Sequence, residues 1–181
     1  IGLDSGEDKL IKATGDLFTG TTGGSVRVLT LQATAGNVFN IVSPSQTQSM
    51  IIRDCIITTS ANVGRLQNFS LVFVSIVNYV GNANGIVYEN IGRLLLSNAA
   101  WFSNNGGTYE KLVGNFNLVT KQGGFSEVMG TSIGFDVAAN PVINGDAVME
   151  STVFTGTLTS GKYVNGYTSG TIYPGFNFNN K

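Results

Sequence analysis

Between Asn68 and Leu118 the chain repeats one short phrase three times: Asn68-Phe69-Ser70-Leu71, Asn90-Ile91-Gly92-Arg93-Leu94 and Asn115-Phe116-Asn117-Leu118. Each copy is an Asn, an apolar residue and, two or three places on, a Leu. Asp54-Cys55-Ile56-Ile57 is an earlier copy and Asp136-Val137 a weaker later one. The copies that begin at Asn68, Asn90, Asn115 and Asp136 are nearly evenly spaced, whereas Asp54 stands too close to Asn68 to fit the period. Around these phrases, short Val/Ile/Leu/Phe runs at residues 25–33, 37–42, 50–58, 65–79, 86–96, 109–120, 125–138 and 147–158 alternate with Gly, Asn and Ser clusters.

Beyond residue 15 no apolar period of helical length persists, so these runs read as strands. A strand-and-turn repeat of about 20–25 residues with no helix inside it is what a parallel β-helix coil requires, each strand stacked ~4.8 Å from its equivalent in the next coil. Parallel pairing also suits continuous apolar runs better than strict alternation does. Asn at a recurrent corner tolerates the left-handed backbone and can bond to the coils above and below, which makes Asn68, Asn90 and Asn115 candidates for a structural ladder. The alternative is that they are ordinary turn residues of an antiparallel sandwich. The expected fold class is all-β, a right-handed single-stranded parallel β-helix. Ser5 ahead of Glu7 and Asp8, then Lys9-Leu10-Ile11-Lys12-Ala13, adds the option of a short N-terminal capping helix. The organisation is one domain: a cap over residues 1–24, coils over 25–160 and a Gly/Asn/aromatic segment over 161–181.

Composition narrows the function. The 181 residues suffice for one domain with a real core. Charged residues are only 12 %, and polarity rests on Gly, Asn, Ser and Thr. A net charge of −1 leaves no electrostatic footprint for nucleic acid or an anionic membrane. The longest apolar stretch, residues 71–77, is broken by Ser75 and far below the ~18 residues of a membrane span. The chain opens at Ile1 with no charged segment leading into an apolar run, which reads as an excised or processed product. One cysteine cannot form an internal disulfide, and the absence of histidine removes the commonest zinc ligand and general base. Serine, cysteine and metal hydrolases of familiar type are disfavoured, and no metal or cofactor is expected. Cys55 falls where other copies carry Phe69, Ile91 and Phe116, and so reads as a small buried hydrophobe.

The Asn-apolar-x-Leu/Ile phrase, the low charge, and the segments Gly36-Asn37-Val38-Phe39-Asn40-Ile41-Val42 and Gly170-Thr171-Ile172-Tyr173-Pro174-Gly175-Phe176 resemble the pectate-lyase-like right-handed β-helices of bacteriophage tail fibres and tailspikes. The resemblance spans roughly residues 25–160. It implies a homotrimeric, extracellular virion (tail) protein for host attachment, a receptor-binding shaft or tip, and for some tailspikes cleavage of surface polysaccharide. Pectate lyases of that fold use acidic calcium ligands with an Arg, and polygalacturonases several Asp with a His and an Arg-x-Lys element. This chain has no His, no Asp-Asp pair and no Arg-x-Lys. Tailspike glycosidases need only carboxylates about 5–9.5 Å apart across a groove. Of Asp54, Glu89, Glu110, Glu127, Asp136, Asp146 and Glu150, the pair Glu127 and Glu150 is separated by close to one period and fits one coil best. Isolated acids on such a surface otherwise serve as solvating charges, and Arg53, Asp54 and Arg65 as outward ion pairs.

Sugar binding would need exposed rings among amides and hydroxyls. Trp101, Tyr163, Tyr167 and Tyr173 have such neighbours; the competing reading packs these rings onto the coil end or a neighbouring chain. The sequon at Asn68 lies inside the repeat, where a glycan would obstruct packing. A mean hydropathy of +0.16 and runs such as Leu71-Val72-Phe73-Val74 and Leu94-Leu95-Leu96 put apolar side chains on both strand faces. Three parallel shafts would cover them. The expectation is therefore a non-enzymatic adhesive module that binds a bacterial surface polysaccharide or other envelope receptor, with a tailspike depolymerase or a bacterial surface adhesin as alternatives.

Overall fold

A left-handed backbone residue recurs once per coil at one set of equivalent positions, and that recurrence explains the architecture. Val28, Asp54, Ile76, Asn98, Gly123 and Ser151 have φ between 53° and 64°. Each immediately follows one of the residues Arg27, Arg53, Ser75, Ser97, Gln122 and Glu150, which pair in register. The strand thus bends at one corner of every coil, and the bends stack. A computed structural model describes residues 1–176 and shows an all-β parallel solenoid of about six turns.

Each coil has three strand-bearing sides. The first is built from Gly24–Arg27, the leading halves of Ser49–Thr58, Leu71–Val80 and Arg93–Trp101, then Leu118–Gln122 and Ala147–Glu150. Past the bend, the second continues through the trailing halves of the same long strands, with Lys9–Lys12 and Thr30–Ala33 at one end and Phe125–Glu127 and Val153–Thr155 at the other. The third stacks the strands Phe18–Gly20, Asn37–Val42, Asn62–Gln67, Asn84–Glu89, Thr108–Val113, Ile133–Asp136 and Lys162–Asn165. Parallel pairing therefore runs from Lys9 to Asn165, into both flanking segments, while residues 177–181 of the C-terminal segment lie outside the described residues.

The capping helix does not form, and no helix occurs among the described residues. Asp4 and Asp8 prevent it locally. Asp8 Oδ2 accepts the backbone N–H groups of Leu3 and Asp4 (2.5 and 3.1 Å), and Asp4 Oδ1 accepts that of Gly6 (2.7 Å), closing one tight turn. Lys9–Lys12 then pairs with Thr30–Ala33 as a strand. Short polar side chains bonding their own backbone compete with helix in this way.

The lumen is filled by columns of equivalent side chains. Val26, Ile52, Val74 and Leu96 form one; Leu31, Ile57, Tyr79 and Trp101 another. The ring of Trp101 lies 3.8 Å from that of Tyr79 at 4° and 4.8 Å from that of Tyr109 at 12°, a continuous aromatic stack inside the coil. In the next coil the first column receives Lys121, whose Nζ meets Glu110 Oε1 at 2.6 Å from across the lumen, both side chains only 1 % exposed. At the C-terminal end Phe176 packs edge-on against Phe135 (5.4 Å), and Gly175 bridges Val148, so the chain folds back over the last coils.

Ile76 is β-branched, 51 % exposed and held at φ 54°, where the neighbouring coils place Asp54 and Asn98. Ile76→Asn relieves that strain and is expected to stabilise by about 1 kcal/mol, raising Tm by about 2–4 °C in calorimetry. Lys121→Met alone strands the Glu110 carboxylate and is expected to cost about 3–5 kcal/mol in urea unfolding, whereas the double change Glu110→Leu/Lys121→Met is expected to restore most of that loss.

Candidate functional site

Every middle coil of the third side opens with the same irregularity. In Asn62-Val63-Gly64-Arg65 the two central residues are both buried, as they are in Asn37-Val38-Phe39-Asn40, Asn84-Gly85-Ile86-Val87 and Thr108-Tyr109-Glu110-Lys111. A regular strand alternates faces, so two consecutive inward residues reset the parity and bring the first and fourth positions to the same outer surface. Gly64 allows this at φ 118°, where a Cβ would run into the Phe39 carbonyl oxygen.

The outer surface consequently carries two adjacent columns. Asn37, Asn62 and Asn84 stack in register with Thr108 after them, and Asn40, Arg65, Val87 and Lys111 stack beside them. Between them runs a groove of about 390 Å³ that crosses the coils. Asn84 Nδ2 donates to Asn62 Oδ1 (2.9 Å), which fixes the amides relative to one another. At the N-terminal end Asp16 accepts from Asn40 Nδ2 (2.8 Å) and from the backbone and side-chain N–H groups of Asn37 (2.8 and 2.7 Å); these donors, Asn40 foremost, hold its carboxyl below the usual range.

The cations are positioned by acids on the rim. Arg65 pairs along the shaft with Glu89, whose other oxygen accepts from Gln67 Nε2 (3.3 Å), and Arg65 Nε is buried without a partner among the described residues. Lys111 Nζ stands 3.9 Å from Asp136 Oδ2, and Asp136 Oδ1 accepts from Ala138 N–H and Asn165 Nδ2. Arg53 Nε pairs with its neighbour Asp54 (3.0 Å) on the first side, away from this groove.

The residues nominated from sequence fall elsewhere. Glu127 and Glu150 do not stack, because the coil between them is longer than those in the middle of the shaft: Glu150 pairs with Gln122, and Glu127 with Thr155. Glu127 sits on the second side, its Oε2 accepting the Ser103 N–H (2.9 Å), and Glu150 is exposed at the end of the first. Glu110 faces the lumen. Trp101 is fully buried in the aromatic stack. Tyr163, Tyr167 and Tyr173 are half-buried against the core; Tyr163 and Tyr167 donate to the carbonyls of Gly156 and Pro141 (2.8 and 2.7 Å), and the Tyr173 hydroxyl accepts the Ile143 N–H (2.7 Å). Asn68 and Asn90 share one corner at φ 61° and 52°, but Gly114 takes that position in the next coil and Asn115 follows it, its N–H donating to Asn90 Oδ1 (2.9 Å). Cys55 is buried and pairs with Val77, in a different column from Phe69, Ile91 and Phe116. Burial pushes its thiol pKa up.

A continuous polar ladder does exist, inside the corner between the second and third sides. Asn82 Oδ1 accepts the Ser60 N–H (3.2 Å); Asn105 Oδ1 accepts the Asn82 N–H and Nδ2–H (2.7 and 3.1 Å); Asn105 Nδ2 donates to the Tyr79 carbonyl (2.5 Å). No metal-ligand cluster of three or more His, Cys, Asp or Glu occurs among the described residues, and no helix there is long and apolar enough to cross a membrane. The groove columns left a trace in the sequence, Asn/Thr followed three places on by Asn40, Arg65, Val87 or Lys111, but alternation assigns those two positions to opposite faces. No protein-family model, curated protein or solved structure matches the chain.

Because the Asn82 ladder satisfies buried N–H groups of two coils, Asn82→Ala is expected to lower stability by about 2–3 kcal/mol, read as a reduced urea midpoint at unchanged slope.

Proposed function

We propose that this chain is a structural and adhesive module, the β-solenoid part of a bacteriophage tail fibre or receptor-binding protein, which assembles as a homotrimer and turns its third side toward polysaccharide of the bacterial envelope. The observation that carries this reading is the unequal dressing of the sides. On the first, Ile51, Phe73 and Leu95 stack in register on the outer surface as a partly exposed apolar stripe, and in the neighbouring column Leu71 and Leu118 flank the exposed Arg93. On the third, amides, hydroxyls and ion pairs dominate the outer surface, interrupted by Val42, Val87 and Val113. A shaft that buries its apolar side against two copies of itself leaves the polar groove outward. Stacked coils make the surface rigid, so a ligand meets groups already in place and little ordering entropy opposes binding. Amides and paired charges suit the hydroxyls of a sugar chain.

Multi-angle light scattering at micromolar concentration is expected to return about three times the 19.1 kDa chain mass, and Phe73→Lys/Leu95→Lys to return the chain mass with an unchanged β-sheet circular dichroism spectrum. A wild-type monomer overturns the trimeric assembly. Retention of the labelled protein on immobilised bacterial surface polysaccharide tests the adhesive role, and its absence across a panel of bacterial preparations overturns that role.

A further inference from the structure

From the spacing of its charges, we infer that the third-side groove takes an acidic oligosaccharide with one carboxylate on every second sugar, laid along the shaft; this rests on the adhesive reading above. Among the described residues, those lining the groove include two cations, Arg65 and Lys111, and no carboxylate. Both belong to one outward column, with Val87 between them. Equivalent strands are ~4.8 Å apart, so the two cations stand two steps, ~9.6 Å, apart at the backbone. An extended glycan advances by about one strand step per sugar. Carboxylates on alternate sugars therefore meet Arg65 and Lys111 in turn, while the sugar between them lies over Val87, where a pyranose C–H face finds an apolar contact. A glycan charged on every sugar would set an unmatched carboxylate over that valine.

The hydrogen-bonding state of the two cations supports a ligand. Glu89 holds one Nη of the Arg65 guanidinium, but the group has five N–H donors and the side chain is 44 % exposed. Lys111 Nζ lies beyond hydrogen-bond distance of Asp136. Each acid thus orients its cation without exhausting it. Asn62 and Asn84, locked to each other by their amide hydrogen bond, present the remaining donors and acceptors to the sugar hydroxyls.

The test is titration calorimetry of the assembled protein with three probes: a hyaluronan octasaccharide, charged on alternate sugars; an octagalacturonate, charged on each; and neutral maltooctaose. Hyaluronan is expected to bind most tightly and to weaken as salt rises. Arg65→Gln and Lys111→Gln are each expected to reduce its affinity about tenfold or more, the effect of one lost charge-assisted hydrogen bond. Arg27→Gln, on the first side, is expected to leave it unchanged, and melting curves confirm that each variant folds. Equal or tighter binding of the other probes, or indifference of hyaluronan binding to both substitutions, overturns the inference. Binding of the neutral probe with both substitutions silent overturns the charge spacing and leaves the adhesive reading standing. No binding of any probe overturns the inference, and if bacterial polysaccharide is not retained either, the adhesive reading falls with it.

Discussion

Everything in this molecule depends on parallel, in-register stacking of backbone positions one strand spacing apart. Once Arg53 pairs with Ser75 and Ser75 with Ser97, the residue after each must make the same turn, and the residue before it must face the same way. Corners, lumen columns and outer columns are all consequences of that single translation. The backbone hydrogen bonds run along the shaft, and the third dimension is filled only by side chains meeting across the lumen. A substitution is consequently felt first by its equivalents in the coils above and below.

The lumen shows how this constraint handles large and charged groups. Tyr79 and Trp101 occupy the same position in consecutive coils, so their rings lie nearly parallel at 3.8 Å, closer to a stacked pair of flat molecules than to the edge-on packing of most cores. Lys121 enters a column otherwise made of Val, Ile, Leu and Met, and it is tolerated because Glu110 arrives opposite it from the third side at 2.6 Å. That meeting requires the parity reset at Tyr109-Glu110, the same irregularity that builds the groove outside. One backbone feature thus seats a buried ion pair and shapes the groove on the opposite face of the strand.

The outer surface inherits the same order. Because each column is a straight line of equivalents, a chemical preference at one position becomes a stripe: apolar through Ile51, Phe73 and Leu95, polar through Asn37, Asn62 and Asn84. Stripes favour elongated partners, whether another shaft or a linear polymer. The rim acids Glu89 and Asp136 keep Arg65 and Lys111 extended over the groove and offset part of their charge.

The sequence by itself determined that the chain is all-β, that its strands come in short, nearly even coils, and that Asn, Asp and Gly mark the bends, because left-handed backbone selects those residue types and parallel pairing selects continuous apolar runs. It could not tell the bends of one coil from those of the next. Asp54 and Asn68 carry similar phrases at less than one period because they sit at two different corners of one coil, with the Thr59–Ser60 corner between them, and Ile76, the equivalent of Asp54, does not advertise a bend at all. Runs such as 65–79 and 86–96 therefore read as single strands although Asn68 and Asn90 divide them. Register was decided by the tertiary structure alone. The step from Gln122 to its partner Glu150 is longer than that from Ser75 to Ser97, and this lengthening near the C-terminal end separates Glu127 from Glu150. Register also buries Trp101 and Glu110 and sets Arg65 and Lys111 in one column. Those facts depend on loop lengths and on the paired inward residues, neither of which local residue preference encodes.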